Sequence, residues 1–158
     1  MATIFDVANY FRWRVDYDAG DNITALKLQK LCYYAQAWHL AFTGEPLFEE
    51  EFEAWDHGPL NYALWKLYQK PQGWSSIEPD DDLWTFEPAE VFTSDELETL
   101  NEVWETYGTY GAKYLEHLTH QEDPWRLAEK NAIIEKSVMR AYYHAQLERE
   151  HGAQNPSF

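Results

Sequence analysis

One stretch decides the fold, residues 24–46, which read TALKLQKLCYYAQAWHLAFTGEP. Apolar side chains recur in it at three-and-four spacing, which places them on one face of an α-helix. They are Leu28, Leu31, Ala35, Trp38 and Phe42. Thr24 can cap the start of this helix, and Gly44 with Pro46 ends it. We therefore predict a long helix with a buried apolar face.

The same spacing recurs on both sides of this helix. Further helices are predicted over about residues 3–17, 59–70, 93–107, 110–118 and 134–145, with a short helical turn at 123–127. The helical period is lost between Leu47 and Trp55, where short strands are expected. The prediction is a mainly α domain over residues 1–150, with six or seven helices, a small antiparallel β element near 47–55 and a flexible C-terminal tail over 151–158.

Residues 71–92 are predicted to form a long loop. They contain three prolines and the acidic run Asp80, Asp81 and Asp82, without sustained periodicity. A loop of this length in a compact domain usually has a function. The segment is therefore a candidate contact for a partner.

The composition excludes several classes of protein. The 158 residues include 8 Trp, 11 Tyr and 8 Phe, enough large side chains to fill a core and to argue against disorder. The single Cys32 allows neither an intrachain disulfide nor a thiolate zinc site, which favours a reducing compartment. No run approaches the roughly 18 apolar residues of a membrane span, so we expect a cytoplasmic protein.

The charge is strongly and unevenly acidic. A net charge of −16 opposes direct binding to nucleic acid, which depends on Lys and Arg. Residues 45–105 hold 17 acidic side chains against Lys66 and Lys70, giving −15. Such a field either keeps a surface solvated or attracts a basic partner, and both interpretations remain open.

Signals for catalysis are weak. His117 and His120 can share a helix face as two metal ligands, but the remaining ligands would have to come from elsewhere. Asp56 and His57 suggest an acid–base pair, although neighbours on an extended chain point to opposite faces. We expect no enzyme, metal or cofactor; the alternative is a small hydrolase or transferase with a site at His39, Asp56, His57 and His120.

Side chains on the predicted helices suggest both core and contact roles. Lys27 and Lys30 stand three residues apart beside Tyr34. They are either solvated lysines that balance nearby acids or contacts for a partner. The aromatic rings of Trp38, Trp104 and Trp125 are predicted to lie in the core.

Several blocks of sequence resemble the Panacea domain family in order and spacing. They are ITALKLQKLCYYAQAWHL at 23–40, GEPLF at 44–48, FEAWDHGP at 52–59, LTH at 118–120 and PW at 124–125. The resemblance spans about residues 5–145. This family includes SocA-like antitoxins and phage-associated GepA-like proteins.

The resemblance implies an antitoxin of a type II-like toxin–antitoxin system, which binds and neutralises a protein toxin encoded by a neighbouring gene. It also offers a variant mechanism, delivery of the toxin to a cellular protease. Many toxins act on nucleic acids and so present basic surfaces, which an acidic segment attracts. No direct contact with nucleic acid or membrane is expected. The predicted partner contacts are Lys27, Lys30, Tyr34, Trp55, His57, Trp74, Glu78, Asp80, Asp81, Asp82, Trp84 and His120.

Overall fold

The computed structural model describes residues 1–68 and 76–153, and it begins with two capped helices. Helix α1 spans Ile4–Arg14, and α2 spans Ala25–Thr43 with a 3₁₀ turn at Tyr17–Ala19 between them. The Thr24 hydroxyl accepts a hydrogen bond from the Lys27 amide at 3.2 Å, and Gly44 ends α2 with φ +80°. The predicted long helix and both of its ends are confirmed.

The chain beyond α2 is also mainly helical. Its helices are α3 (Tyr62–Tyr68), α4 (Asp81–Trp84), α5 (Pro88–Val91), α6 (Ser94–Tyr107), α7 (Ala112–His120), α8 (Asp123–Arg126) and α9 (Lys136–Ala153). The described residues thus hold nine α-helices, of which α4, α5 and α8 are single turns of four residues. The mainly α class is confirmed, and the two helices beyond the predicted seven are α4 and α5, which lie in the region predicted as a loop.

Helix α2 lies at the centre of the molecule. Helices α1, α6, α7 and α9 pack around it, so that it is buried on nearly every side rather than on one face. Polar side chains are buried on it as well: Gln36 bonds the amide of Leu47 at 2.7 Å and the carbonyl of Phe48 at 2.6 Å. Gln29 likewise bonds both backbone groups of Asn61. These amides tie the segments that flank the sheet to α2.

The sheet is small and antiparallel, as predicted. Its strands are β1 (Phe52–Trp55), β2 (Gly58–Leu60) and β3 (Ile133–Ile134), in the order β2-β1-β3. Strand β3 corrects the prediction that the last helix includes Ile134. That residue pairs with Phe52 across the sheet and is 2% exposed, so burial against β1 outweighs its helical spacing.

Part of the predicted 71–92 loop is ordered against the core. Residues 69–75 lie outside the described residues, but Ile77 donates a backbone hydrogen bond to Ile23 at 2.8 Å and is buried. Leu83, which belongs to α4, and Phe92, which directly follows α5, are buried too. Prolines and acidic residues separate these buried apolar side chains, so the segment has no regular apolar spacing.

The C-terminal helix runs further than predicted. Helix α9 continues to Ala153, so the proposed start of a tail at 151 falls inside it, and residues 154–158 lie outside the described part of the chain. Among the described residues, no helix combines the length and apolar character needed to cross a membrane.

Candidate functional site

The segments that carry the resemblance meet at the two-residue turn between β1 and β2. Trp55 pairs with Gly58 across this turn, and Gly58 has a φ of +102°. A Cβ atom on Gly58 would lie 2.8 Å from Lys30 Cε and 2.9 Å from Thr119 Oγ1. Helices α2 and α7 thus approach the turn so closely that only glycine fits there.

Lys30 lies wholly inside the protein beneath this turn. Its Nζ donates a hydrogen bond to the carbonyl oxygen of Pro59, 2.9 Å away. Burial lowers the pKa of Lys30 to about 7, and the Glu116 carboxylate opposes the shift by favouring the ammonium form. The neutral and charged forms of this lysine are therefore both populated near neutral pH.

Glu116 of α7 is the acidic group of the site. His57 Nδ1 lies 2.9 Å from Glu116 Oε1, and Lys113 Nζ lies 3.7 Å from the other carboxylate oxygen. The Glu116 side chain is only 12% exposed. One nearly buried carboxylate thus contacts a histidine and a surface lysine, and its charge favours the ammonium form of the buried Lys30.

His120 and Trp125 close the site from the side of α8. Their rings stack with centroids 3.9 Å apart, and Trp125 Nε1 donates to the carbonyl oxygen of Trp55 at 2.8 Å. Burial lowers the pKa of His120, and the Glu116 carboxylate opposes that shift. We call the whole set the hairpin cluster: Lys30, His57, Gly58, Glu116, Thr119, His120 and Trp125.

Lys30, His57 and Thr119 of the hairpin cluster each have a hydrogen-bond partner in or beside it, whereas Glu116 Oε2 and His120 Nε2 are buried without one among the described residues. No three His, Cys, Asp or Glu side chains of the described chain are grouped to hold a metal ion. Of the residues in the alternative hydrolase site, His39 contacts Thr99 of α6 at 2.8 Å, whereas Asp56 faces Lys130 at 3.4 Å. The contacts favour a structural role, in which the cluster fixes the positions of the turn and of helices α2, α7 and α8 relative to one another.

Two predicted contact residues prove to be internal. Lys30 is buried as described, and Tyr34 is 0% exposed, with its hydroxyl donating to Glu122 at 2.7 Å and its ring stacked on Tyr107. Their side chains offer no surface to a partner in this conformation. Lys27 is half-buried and donates to the carbonyl oxygen of Gly108 at 2.6 Å, so it caps the end of α6.

The predicted acidic contact is mostly exposed. Glu78, Asp81 and Asp82 are solvent-exposed, and Trp84 beside them is 70% exposed. Asp80 differs, because it forms an ion pair at 2.9 Å with Arg12, which is 1% exposed. We call residues 78–84 the acidic turn.

Two of the remaining predicted contacts, Trp55 and His57, lie at the turn between β1 and β2. Trp55 is half-buried, and its Nε1 donates to Glu53 at 2.8 Å. His57 is exposed at the turn, next to the hairpin cluster's carboxylate. Trp74 lies outside the described residues.

The sequence did not reveal a groove between α2, α6 and α9. It has a volume of about 610 Å³ and an aromatic floor that includes Trp38 and Phe42. Phe42 was predicted to be buried, yet it is 44% exposed, because α6 and α9 do not cover the last turn of α2. Only the acidic spacing of Asp95, Glu98 and Glu102 along α6 hinted at this surface.

Comparison with known proteins gives one family match. The sequence model of the family described as antitoxin SocA-like, Panacea domain, matches residues 28–126. These residues run from within α2 through β1 and β2 to the end of α8, and they include the whole hairpin cluster. No curated protein and no solved structure matches the chain.

Proposed function

Because the chain belongs to the SocA-like antitoxin family with the Panacea domain, we propose that it neutralises a cognate protein toxin by binding it directly. The family match over residues 28–126 is the observation that carries this proposal. The toxin is the product of a neighbouring gene, and both proteins act in the cytoplasm.

The geometry supports binding better than chemistry. Hydrogen bonds of Lys30, His57 and Trp125 and the ring stack of His120 on Trp125 join α2, α7 and α8 to the sheet. Two buried atoms of the cluster, Glu116 Oε2 and His120 Nε2, have no hydrogen-bond partner among the described residues. Such a framework fixes the relative positions of the outer surfaces, and a rigid surface loses little entropy when a partner binds. His57 and Trp55 lie at the edge of this framework, where a partner can reach them.

Charge supports a basic partner. The chain carries −16, and exposed carboxylates of the acidic turn and of α6 extend the field into solvent. A field of this sign attracts the basic surface of a toxin that acts on nucleic acid, and repels nucleic acid itself.

The neighbouring gene tests the proposed function. Expression of a toxic adjacent reading frame should stop growth, and co-expression of this chain should restore it, with both proteins recovered on one affinity tag. Recovery of intact toxin in a stable complex supports inhibition by binding, whereas depletion of the toxin supports delivery to a protease. Growth that stays arrested, or rescue without any complex, contradicts direct neutralisation.

The acidic turn should accelerate association with that toxin. Replacing Glu78 by Gln and Asp81 and Asp82 by Asn should slow association several-fold at low salt, because exposed charges steer the encounter. The effect should nearly vanish at about 0.5 M salt, where the Debye length is roughly 4 Å. Dissociation should barely change. Surface plasmon resonance at two ionic strengths measures both rates.

The variant spares Asp80, whose removal would leave the buried Arg12 without its carboxylate. A matched control replaces three exposed acids outside residues 45–105, Asp18, Glu129 and Glu135, by their amides. Equal slowing by both variants would assign the effect to net charge, and the acidic turn would have no special role.

A further inference from the structure

The groove between α2, α6 and α9 has a fixed aromatic floor. Trp38 and Phe42 stack with ring centroids 5.7 Å apart and an interplanar angle of 26°. Trp38 Nε1 donates to Tyr107 Oη at 2.8 Å, and the Tyr107 ring is stacked on the buried Tyr34 with centroids 4.1 Å apart. The floor is therefore held from beneath by the core and is ready to accept an apolar side chain without rearrangement.

The rim of the same groove is acidic. Asp95, Glu98 and Glu102 follow each other at three-and-four spacing along α6, and Glu150 lies on the α9 side. All four are exposed, and the described residues that line the groove include no Lys or Arg. An occupant must therefore be apolar on the side that meets the floor and cationic at its edges.

The shape favours a helix. The acidic residues from Asp95 to Glu102 extend over about 10 Å along α6, at roughly 1.5 Å per residue. A helix laid beside α6 presents cationic side chains with the same three-and-four repeat, and it inserts an apolar anchor between them. The volume of about 610 Å³ lies within the range of preformed ligand sites.

We propose that this groove seats a cationic amphipathic helix of the toxin, with an apolar side chain on Trp38 and Phe42 and Lys or Arg side chains against the rim. This inference rests on the proposed function. A second copy of this chain is a poor occupant, because its own charge of −16 opposes the rim. An anionic lipid surface is repelled for the same reason. The groove controls residence time, since desolvated anchors govern dissociation.

Two variants test the groove with the toxin obtained by co-expression. Phe42→Glu places a carboxylate on the floor, and the double variant Glu98→Lys with Glu102→Lys reverses the charge of the rim at two positions. Each should raise the Kd for the toxin at least tenfold. Their melting temperatures should stay close to that of the wild-type chain, because Phe42 is 44% exposed and both glutamates face solvent. The control for the floor is Leu67→Glu, 57% exposed on α3, and the control for the rim is Glu129→Lys with Glu135→Lys.

A photo-crosslinking amino acid at position 42 identifies the occupant. Mass spectrometry should find it joined to a basic, helical segment of the toxin. Full affinity of both groove variants, or crosslinks only to an acidic or non-helical segment, would overturn the proposal. Crosslinks between copies of this chain, with a change in oligomeric state, would assign the groove to self-association. If the wild-type chain binds no neighbouring toxin, both the proposed function and the groove proposal are contradicted. If the wild-type chain binds the toxin and the groove variants bind it equally well, only the groove proposal is contradicted.

Discussion

Replacing Gly58 by Ala should lower the free energy of unfolding by about 2–5 kcal/mol and the melting temperature by roughly 5–15 °C. Two costs add at this position. The φ of +102° is unfavourable for any residue with a Cβ atom, and that atom would lie 2.8 Å from Lys30 Cε and 2.9 Å from Thr119 Oγ1. To relieve the clash, the end of the Lys30 side chain or the Thr119 hydroxyl must shift, and both are buried and hydrogen-bonded, so the shift costs further stability.

Gly20→Ala is the matched control for this variant. Gly20 has a φ of +86°, but nothing lies within 4 Å of the point that a Cβ atom on it would occupy. It should therefore show the backbone cost alone, about 1–2 kcal/mol. Denaturant unfolding of the two variants separates the terms: equal losses would mean that the contacts around Gly58 relax freely and that the hairpin cluster is loosely packed.

The helices were largely predictable because their signals are local. Thr24 and Gly44 cap α2 as expected, and Thr93 with Glu96 forms a capping box at α6. These contacts span three or four residues, so the sequence contains both partners in one window. Strand β3 escaped prediction for the opposite reason, since its two residues are extended by pairing with β1, about 80 residues earlier.

Parts of the candidate site depend on contacts between distant residues. Lys30 has the spacing of an ordinary surface lysine, and only the Pro59 carbonyl and Glu116 on other elements explain its burial. Asp80 belongs to an acidic run that predicts a solvated loop, yet Arg12 binds it across 68 positions of sequence. Phe42 is exposed because α6 and α9 do not cover the last turn of α2. The apolar spacing within α2 cannot show where its contacts with other helices end.

The blocks of sequence that resemble the family were informative in a different way. His57, Gly58, Thr119, His120 and Trp125 are separated by up to 68 positions, yet the structure joins them in the hairpin cluster. A resemblance carried by spaced blocks thus located a structural framework. It did not locate the groove, whose rim on α6 falls between the blocks quoted for the resemblance.

Replacing Lys30 by Met should remove a pH dependence of stability. The pKa of Lys30 is about 7 in the folded chain and near 10.5 in the unfolded chain. Between these values the unfolded chain binds one more proton, so the free energy of unfolding of the wild type rises with pH, by at most about 1.4 kcal/mol per unit. Relative to Lys30→Met, the wild type should gain roughly 2 kcal/mol between pH 7.5 and 9.

Urea unfolding at pH 6, 7.5 and 9 measures this difference, with pH 9 as the upper end because burial raises the pKa of Cys32 and of several tyrosines. Those groups stabilise the folded chain less at higher pH, as the unfolded chain releases their protons first.

Lys27→Met is the control: Lys27 is half-buried with a pKa lowered by burial, so its loss should change the slope less. Glu116→Gln removes the carboxylate that favours charged Lys30, and the rise in stability should then begin at lower pH. Parallel pH profiles for the wild type and Lys30→Met would show that Lys30 remains fully charged in the folded chain, and that solvent reaches the turn above it.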